Sequence, residues 1–173
     1  VSGRYYAMDR DRRWERVRLA YDAMVFGIGE KATDAIAAVE NAYRNEITDE
    51  FIKPTVVINE GQQPLATIKN GDVALCFNFR TDRCREITEV LTQTDMPDHK
   101  MHKLNLHYTT MTQYDQSFQN VHIIFDNDDL KNTIGEVVEQ NGLKQIRIAE
   151  TEKYPHVTFF FSGGREKQFE GES

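Results

Sequence analysis

Val73-Ala74-Leu75-Cys76-Phe77-Asn78-Phe79-Arg80-Thr81-Asp82-Arg83 is the stretch on which the fold turns. Its continuous apolar start, Val73 to Phe77, predicts a strand buried on both faces, as strands of parallel sheets are. The helical spacing of Cys84, Ile87 and Leu91 then predicts a helix from about Asp82. A strand that ends where a helix begins is the repeating unit of α/β proteins, and ligands dock at such strand ends.

Upstream, Trp14, Val17, Tyr21 and Met24 predict a helix from about Asp11 to Phe26, closed by Gly27 and Gly29. Ile36, Val39 and Tyr43 mark a second, from about Thr33 to Asn45, and both apolar stripes are expected to face the core. Pro54 to Ile58 reads as a short strand, and the polar piece from Gly61 to Gly71 as a hairpin or an irregular crossover. Downstream, Leu104 to Met111 and Val121 to Phe125 read as strands. Asn127, Asp128 and Asp129 offer caps for a helix with Leu130, Ile134 and Val137 inward, stopped by Gly142. Lys144 to Ala149 reads as one more strand. Thr151 to Phe161 stays open on pattern alone. Its start suits a helix, while Val157-Thr158-Phe159-Phe160-Phe161 has strong β propensity. Alternating helices and strands predict a three-layer α/β architecture.

A chain of 173 residues has room for one domain, or for one domain and a piece of another. No apolar run reaches the roughly 20 residues of a membrane span, so no membrane partner is expected. The net charge of −7 disfavours nucleic acid, which calls for a basic surface. The charge is uneven, however: Arg4, Arg10, Arg12, Arg13, Arg16 and Arg18 face only Asp9, Asp11 and Glu15 within residues 1–20. A basic island on an acidic protein suits a small anion. The start, Val1 to Tyr6, has neither an initiating Met nor a signal pattern, so the chain is expected to begin inside a longer protein. Cys76 and Cys84 lack metal-type spacing and are read as reduced packing thiols. His99, His102, His107, His122 and His156 form no ligand set, so no metal site is expected.

Arg80 and Arg83 sit where the strand gives way to the helix. Arginine opposes the positive end of the helix dipole there, which makes sense if an anion lies between the two. A pair of solvated arginines offset by Asp82 is the equal alternative. Gly3-Arg4-Tyr5-Tyr6-Ala7-Met8-Asp9-Arg10-Asp11 gathers a second cluster, which a charged helix face also explains. No phosphate loop, serine elbow or carboxylate set accompanies them. The residues offer anion-binding groups and no nucleophile with a base.

Ser2 to Asp11 with Arg13-Trp14-Glu15-Arg16 closely resembles a signature of the cofactor-independent phosphoglycerate mutases. So do Asp49-Glu50-Phe51-Ile52-Lys53-Pro54, Phe77-Asn78-Phe79-Arg80 with Asp82-Arg83, and Ile148-Ala149-Glu150-Thr151-Glu152-Lys153-Tyr154. His156 to Phe161 with Gly163-Gly164 completes a set that keeps the family's order along essentially the whole chain.

The resemblance implies a three-layer phosphotransferase domain lacking its first elements, over residues 1–127. Residues 128–173 would then be a partial return into an alkaline-phosphatase-like, metal-binding domain, with a hinge near Phe125 to Leu130. It implies Arg4, Arg10, Arg80 and Arg83 as substrate-binding residues, and Lys153 as the catalytic group that approaches the phosphoryl beside the family's serine. It also implies a helical Thr151–Phe161. The parent enzyme would use two manganese ions and interconvert 3-phosphoglycerate and 2-phosphoglycerate through a phosphoserine, in the cytoplasm, within glycolysis and gluconeogenesis. The serine motif and metal ligands are not in this sequence, so the chain alone is expected to be inactive and to bind no metal. The strand Lys144–Ala149, torn from its sheet, is expected to be covered by a second copy of the chain or to be poorly ordered. Two other readings are a non-catalytic small-anion-binding or interaction module and another phosphomutase of the alkaline-phosphatase superfamily.

Overall fold

The computed structural model describes residues 1–126, 130–165 and 167–173. The chain divides into two compact units, Val1–Asp126 and Asn127–Ser173.

In the first unit, α1 (Arg4–Ala7) leads into α2 (Trp14–Tyr21), whose last turn widens to a π-helical Asp22–Phe26. Gly27 closes it at φ 65°, the left-handed conformation that glycine adopts without a Cβ penalty. The helix begins three residues later than its periodicity predicts, because Asp9 to Arg13 form an irregular loop. Strand β1 (Glu30–Ala32) pairs in parallel with β2 (Thr55–Val57), and α3 (Ala35–Arg44) joins them. Asp34 caps α3, its carboxylate accepting the Ala37 N–H at 2.8 Å.

The second sheet has the order β3 (Val73–Cys76), β4 (His107–Thr110), β5 (Val121–Ile123), all parallel. This is the α/β class that the alternation predicts. The helix after β3, α4 (Arg85–Thr92), buries Cys84, Ile87 and Leu91 as expected. It meets Val17 and Tyr21 of α2, Met101, Leu104, Tyr108 and Tyr114 in one apolar core. Tyr21 is fully buried there, and its hydroxyl donates to the His102 carbonyl at 2.6 Å. That bond satisfies a polar group that burial would otherwise penalise.

Three expectations about burial and one about a strand fail. β3 is an edge strand: Ala74 and Cys76 pack inward, whereas Val73 (77 % exposed), Leu75 and Phe77 point outward. On α3, Ile36 and Tyr43 are exposed, and the residues turned inward are Ala38, Val39 and Ala42. A two-stranded sheet is too narrow to cover a full helix stripe.

In the second unit, α5 (Ile134–Gln140) leaves Leu130, Ile134 and Val137 exposed. The proposed caps Asn127, Asp128 and Asp129 lie outside the described residues. Thr133 and Glu136 form a capping box instead. Finally, Lys144–Ala149 is no strand: it makes one isolated parallel bridge, Gln145 to Glu172, and Ile148 is 82 % exposed. Without a neighbouring strand to fill its ladder, β-prone sequence does not form sheet.

Residues 154–160 are helical, ending in a π-helical turn over His156–Phe160, so the helix implied for Thr151–Phe161 is shorter at both ends. In place of a strand ladder, the end of that run donates within its own turn, the Phe161 N–H to the His156 carbonyl at 3.1 Å.

Candidate functional site

The first arginine segment is held by its glycine. Gly3 donates its N–H to the Ile52 carbonyl at 2.7 Å, and it lies so close to the Asp49–Phe51 turn that a Cβ would fall 2.2 Å from the Glu50 oxygen. This contact brings Gly3-Arg4-Tyr5-Tyr6 onto Asp49-Glu50-Phe51. Arg4 pairs with Glu50 at 2.6 Å, and Tyr5 packs against Phe51 with ring centres 5.3 Å apart. Arg16 of α2 also stacks on Tyr5, 3.8 Å from the ring centre.

Asp9 shapes the following loop. Its buried carboxylate accepts the N–H groups of Asp11 (3.0 Å) and Arg13 (2.9 Å) and lies 3.5 Å from the Arg16 guanidinium. The loop thereby aims Arg10 at the turn that follows β3.

That turn is anchored from the sheet. Tyr114 donates its hydroxyl to the Asn78 carbonyl at 2.6 Å, and Thr112 donates to the Phe79 carbonyl at 2.9 Å. Asn78 in turn accepts the Arg80 N–H at 3.0 Å and donates to the Cys84 sulfur at 3.1 Å. The helix proper begins only at Arg85, so Arg80 and Arg83 stand on the turn before it and not in its first turn. The helix-dipole argument therefore applies to them weakly.

The two segments meet at Asp82. Its carboxylate accepts from Arg10 at 2.6 Å and from Arg80 at 3.1 and 3.0 Å. The Arg10 side chain is only 7 % exposed, while that of Arg80 is 51 % exposed. Burial alone would raise the Asp82 pKa, but the hydrogen bonds and charges of Arg80 and Arg10 hold it below the ordinary aspartate value. Arg83 donates to the Met8 carbonyl at 3.3 Å, which carries it back to the first segment. Burial lowers its pKa, the charges of Arg10 and Arg4 lower it further, Asp82 offsets them, and Arg80 adds repulsion. Four guanidinium groups from two separated stretches thus share one electrostatic neighbourhood.

Lys153 is in the second unit, on the turn before the π-helical segment. Its Nζ lies 3.8 Å from the Glu152 carboxylate, and both side chains are exposed. Among the described residues no group of three or more His, Cys, Asp or Glu side chains could hold a metal ion. Cys76 and Cys84 are free thiols. No described helix is long and apolar enough to cross a membrane. Asp9, Glu50, Asp82 and Tyr114 organise the arginines, and sequence reasoning gave Asp9, Glu50 and Tyr114 no such part and Asp82 only a charge-offsetting one. The available signal was acid alternating with arginine inside short turns.

A family profile described as BPG-independent PGAM N-terminus matches residues 1–116 of the chain. The chain belongs to this BPG-independent PGAM family. Among similar proteins, a 2,3-bisphosphoglycerate-independent phosphoglycerate mutase of Flavobacterium johnsoniae is 60 % identical over 173 residues, 100 % of this chain and 34 % of that protein. The enzyme of that name from Bacteroides fragilis is 56 % identical over 99 % of the chain and 34 % of its own length. A crystal structure of Leishmania mexicana phosphoglycerate mutase at low cobalt concentration superposes with a TM-score of 0.87 at 30 % identity. That likeness covers 99 % of this chain and 33 % of the Leishmania chain. The chain therefore spans about a third of the length of the PGAM relatives it matches.

Proposed function

We propose that this chain is the arginine-bearing part of a longer cofactor-independent phosphoglycerate mutase, which interconverts 3-phosphoglycerate and 2-phosphoglycerate through a phosphoserine. The observation that carries the reading is the gathering of Arg4, Arg10 and Arg80 around Arg83, with Asp82 joining Arg10 to Arg80. Phosphoglycerate presents a carboxylate and a phosphate, and guanidinium groups match both in bidentate geometry. In this reading residues 1–127 are the inserted phosphotransferase domain. Residues 128–173 return into the phosphatase-like domain, and Lys153 approaches the phosphoryl group there.

The remainder of the enzyme supplies the serine and two manganese ions, and it works in the cytoplasm within glycolysis. The exposed Ile146 and Ile148 are then covered by that remainder, or by a second copy when the chain is alone.

Titration of the chain with 3-phosphoglycerate by calorimetry tests the site. A hydrogen bond between charged groups contributes about 1.5–3 kcal/mol, and the half-exposed Arg80 belongs at the lower end. Arg80→Ala is expected to raise Kd about tenfold. Equal affinity in the two proteins removes Arg80 from the site.

Turnover is a separate matter. Phosphoryl transfer rests on a positioned nucleophile and metal charge, so arginines alone hold substrate without converting it. The purified chain with manganese is expected to leave the 31P spectrum of 3-phosphoglycerate unchanged. Appearance of the 2-phosphoglycerate resonance overturns that expectation.

A further inference from the structure

The loop that carries Arg10 is held from a second direction, by a residue the phosphoglycerate reading does not use. Glu86, in the first turn of α4, is buried, and its Oε1 accepts the Arg12 N–H at 2.8 Å. Arg12 has φ +56°, the left-handed region that side-chain-bearing residues adopt only when something holds them there. Four residues earlier, on the turn leading into the same helix, Asp82 binds the Arg10 guanidinium. The start of α4 therefore grips the loop twice, at the side chain of Arg10 and at the backbone two residues on.

We propose that Glu86 is a positioning residue for the substrate arginines, setting the Asp9–Arg13 loop through Arg12 and so placing Arg10. This rests on the reading of the arginines as a phosphoglycerate site.

The charged residues that act on Glu86 are Asp9, Asp11 and Arg12 of the loop; Arg16 of α2 pairs with Asp9, and Arg85 and Glu89 flank Glu86 in sequence on its own helix. Burial raises the Glu86 carboxyl, the Arg12 N–H lowers it, and Asp9 and Asp11 raise it again, leaving it at about 7. An acid with a raised folded-state pKa stabilises the held loop below its unfolded value of 4.5, and that advantage is lost as pH rises through about 7.

Affinity of the chain for 3-phosphoglycerate, measured at pH 5.5 and 8, decides the matter. Glu86→Gln keeps the acceptor for Arg12 and removes the titration. It is expected to match wild type within about twofold at pH 5.5. The ratio of wild-type to Glu86→Gln Kd is expected to rise about threefold by pH 8, and using the ratio cancels the ionisation of the ligand's own phosphate. Glu86→Leu is expected to raise Kd about tenfold. Adding Arg12→Gly to it should recover part of that loss, since glycine takes the left-handed conformation without being held.

Equal Kd for wild type and Glu86→Leu overturns the role of Glu86, and so does a folded double variant with no recovery. Should Glu86→Leu not fold, a flat pH ratio overturns it. If wild type itself binds no 3-phosphoglycerate, the phosphoglycerate reading falls and the Glu86 assignment falls with it. Intact wild-type binding with unaffected variants removes the Glu86 assignment alone.

Discussion

Alanine at position 3 is expected to lower the thermal midpoint of the first unit by about 10 °C. Gly3 has φ −69°, so conformational freedom is not what the position requires. What it lacks is space. A Cβ would sit 2.2 Å from the Glu50 oxygen, 2.6 Å from the Glu50 carbonyl carbon and 2.7 Å from the Asp49 oxygen. All three atoms are backbone, so no side chain can rotate away, and the segment or the Asp49–Phe51 turn must move. Overpacking costs about 1–3 kcal/mol, and a clash with main chain belongs at the upper end. For a unit of this size about 3 kcal/mol corresponds to roughly 10 °C. The displaced segment takes with it the Gly3 bond to Ile52 and the Arg4–Glu50 pair. A weaker 3-phosphoglycerate affinity should therefore accompany the stability loss. An unchanged midpoint by calorimetry or circular dichroism would show that the two segments are not in contact.

Asp82→Ala is expected to be of similar size for an electrostatic reason. The variant takes the Asp82 carboxylate away from the buried Arg10 guanidinium, which shares its surroundings with Arg80 and Arg83. Removing one partner of a buried ion pair costs about 3–5 kcal/mol, because the other charge stays behind in a poor solvent. Urea denaturation at pH 7 should show a loss of about 3 kcal/mol. The pH dependence has a definite sign: the folded-state pKa of Asp82 is depressed, so its contribution is complete above the unfolded value of 3.8 and disappears as pH falls through the folded value. Wild type and variant should therefore converge only in strong acid. An anion that settles among the arginines replaces the missing charge, so 3-phosphoglycerate should raise the midpoint of Asp82→Ala more than that of wild type. Equal stability of the two proteins at pH 7 would mean that Arg10 does not depend on Asp82.

The class of the fold is legible in the sequence because it rests on local features. Val73 to Cys76 is a strand, Cys84, Ile87 and Leu91 face inward on the helix after it, and the helix around Val17 and Tyr21 lies where its spacing places it. What covers each apolar face is not local, and there the reading fails. The periodicity of Ile36, Val39 and Tyr43, or of Leu130, Ile134 and Val137, states that a helix has an apolar side, and of these only Val39 turns inward. Lys144 to Ala149 has strand composition but makes one bridge. The arginines stand out in the sequence, whereas their meeting depends on Gly3 against Glu50 and on Arg10 reaching Asp82, across 47 and 72 positions. Neither stretch announces the other. Acids such as Asp9 and Glu86 escape notice for a related reason: their partners are main-chain N–H groups, which every residue has.

The bonds from Tyr114 and Thr112 to the carbonyls of Asn78 and Phe79 have a mechanical consequence. They splice the exit of β4 to the exit of β3, so the bend bearing Arg80 and Arg83 inherits the stiffness of a paired sheet. Whatever adjustment a ligand demands is then left to side-chain torsions. Arg80 has latitude, lying half in solvent, and Arg10, enclosed on nearly every side, has little. One jaw of the grip swivels at its tip while the other is fixed.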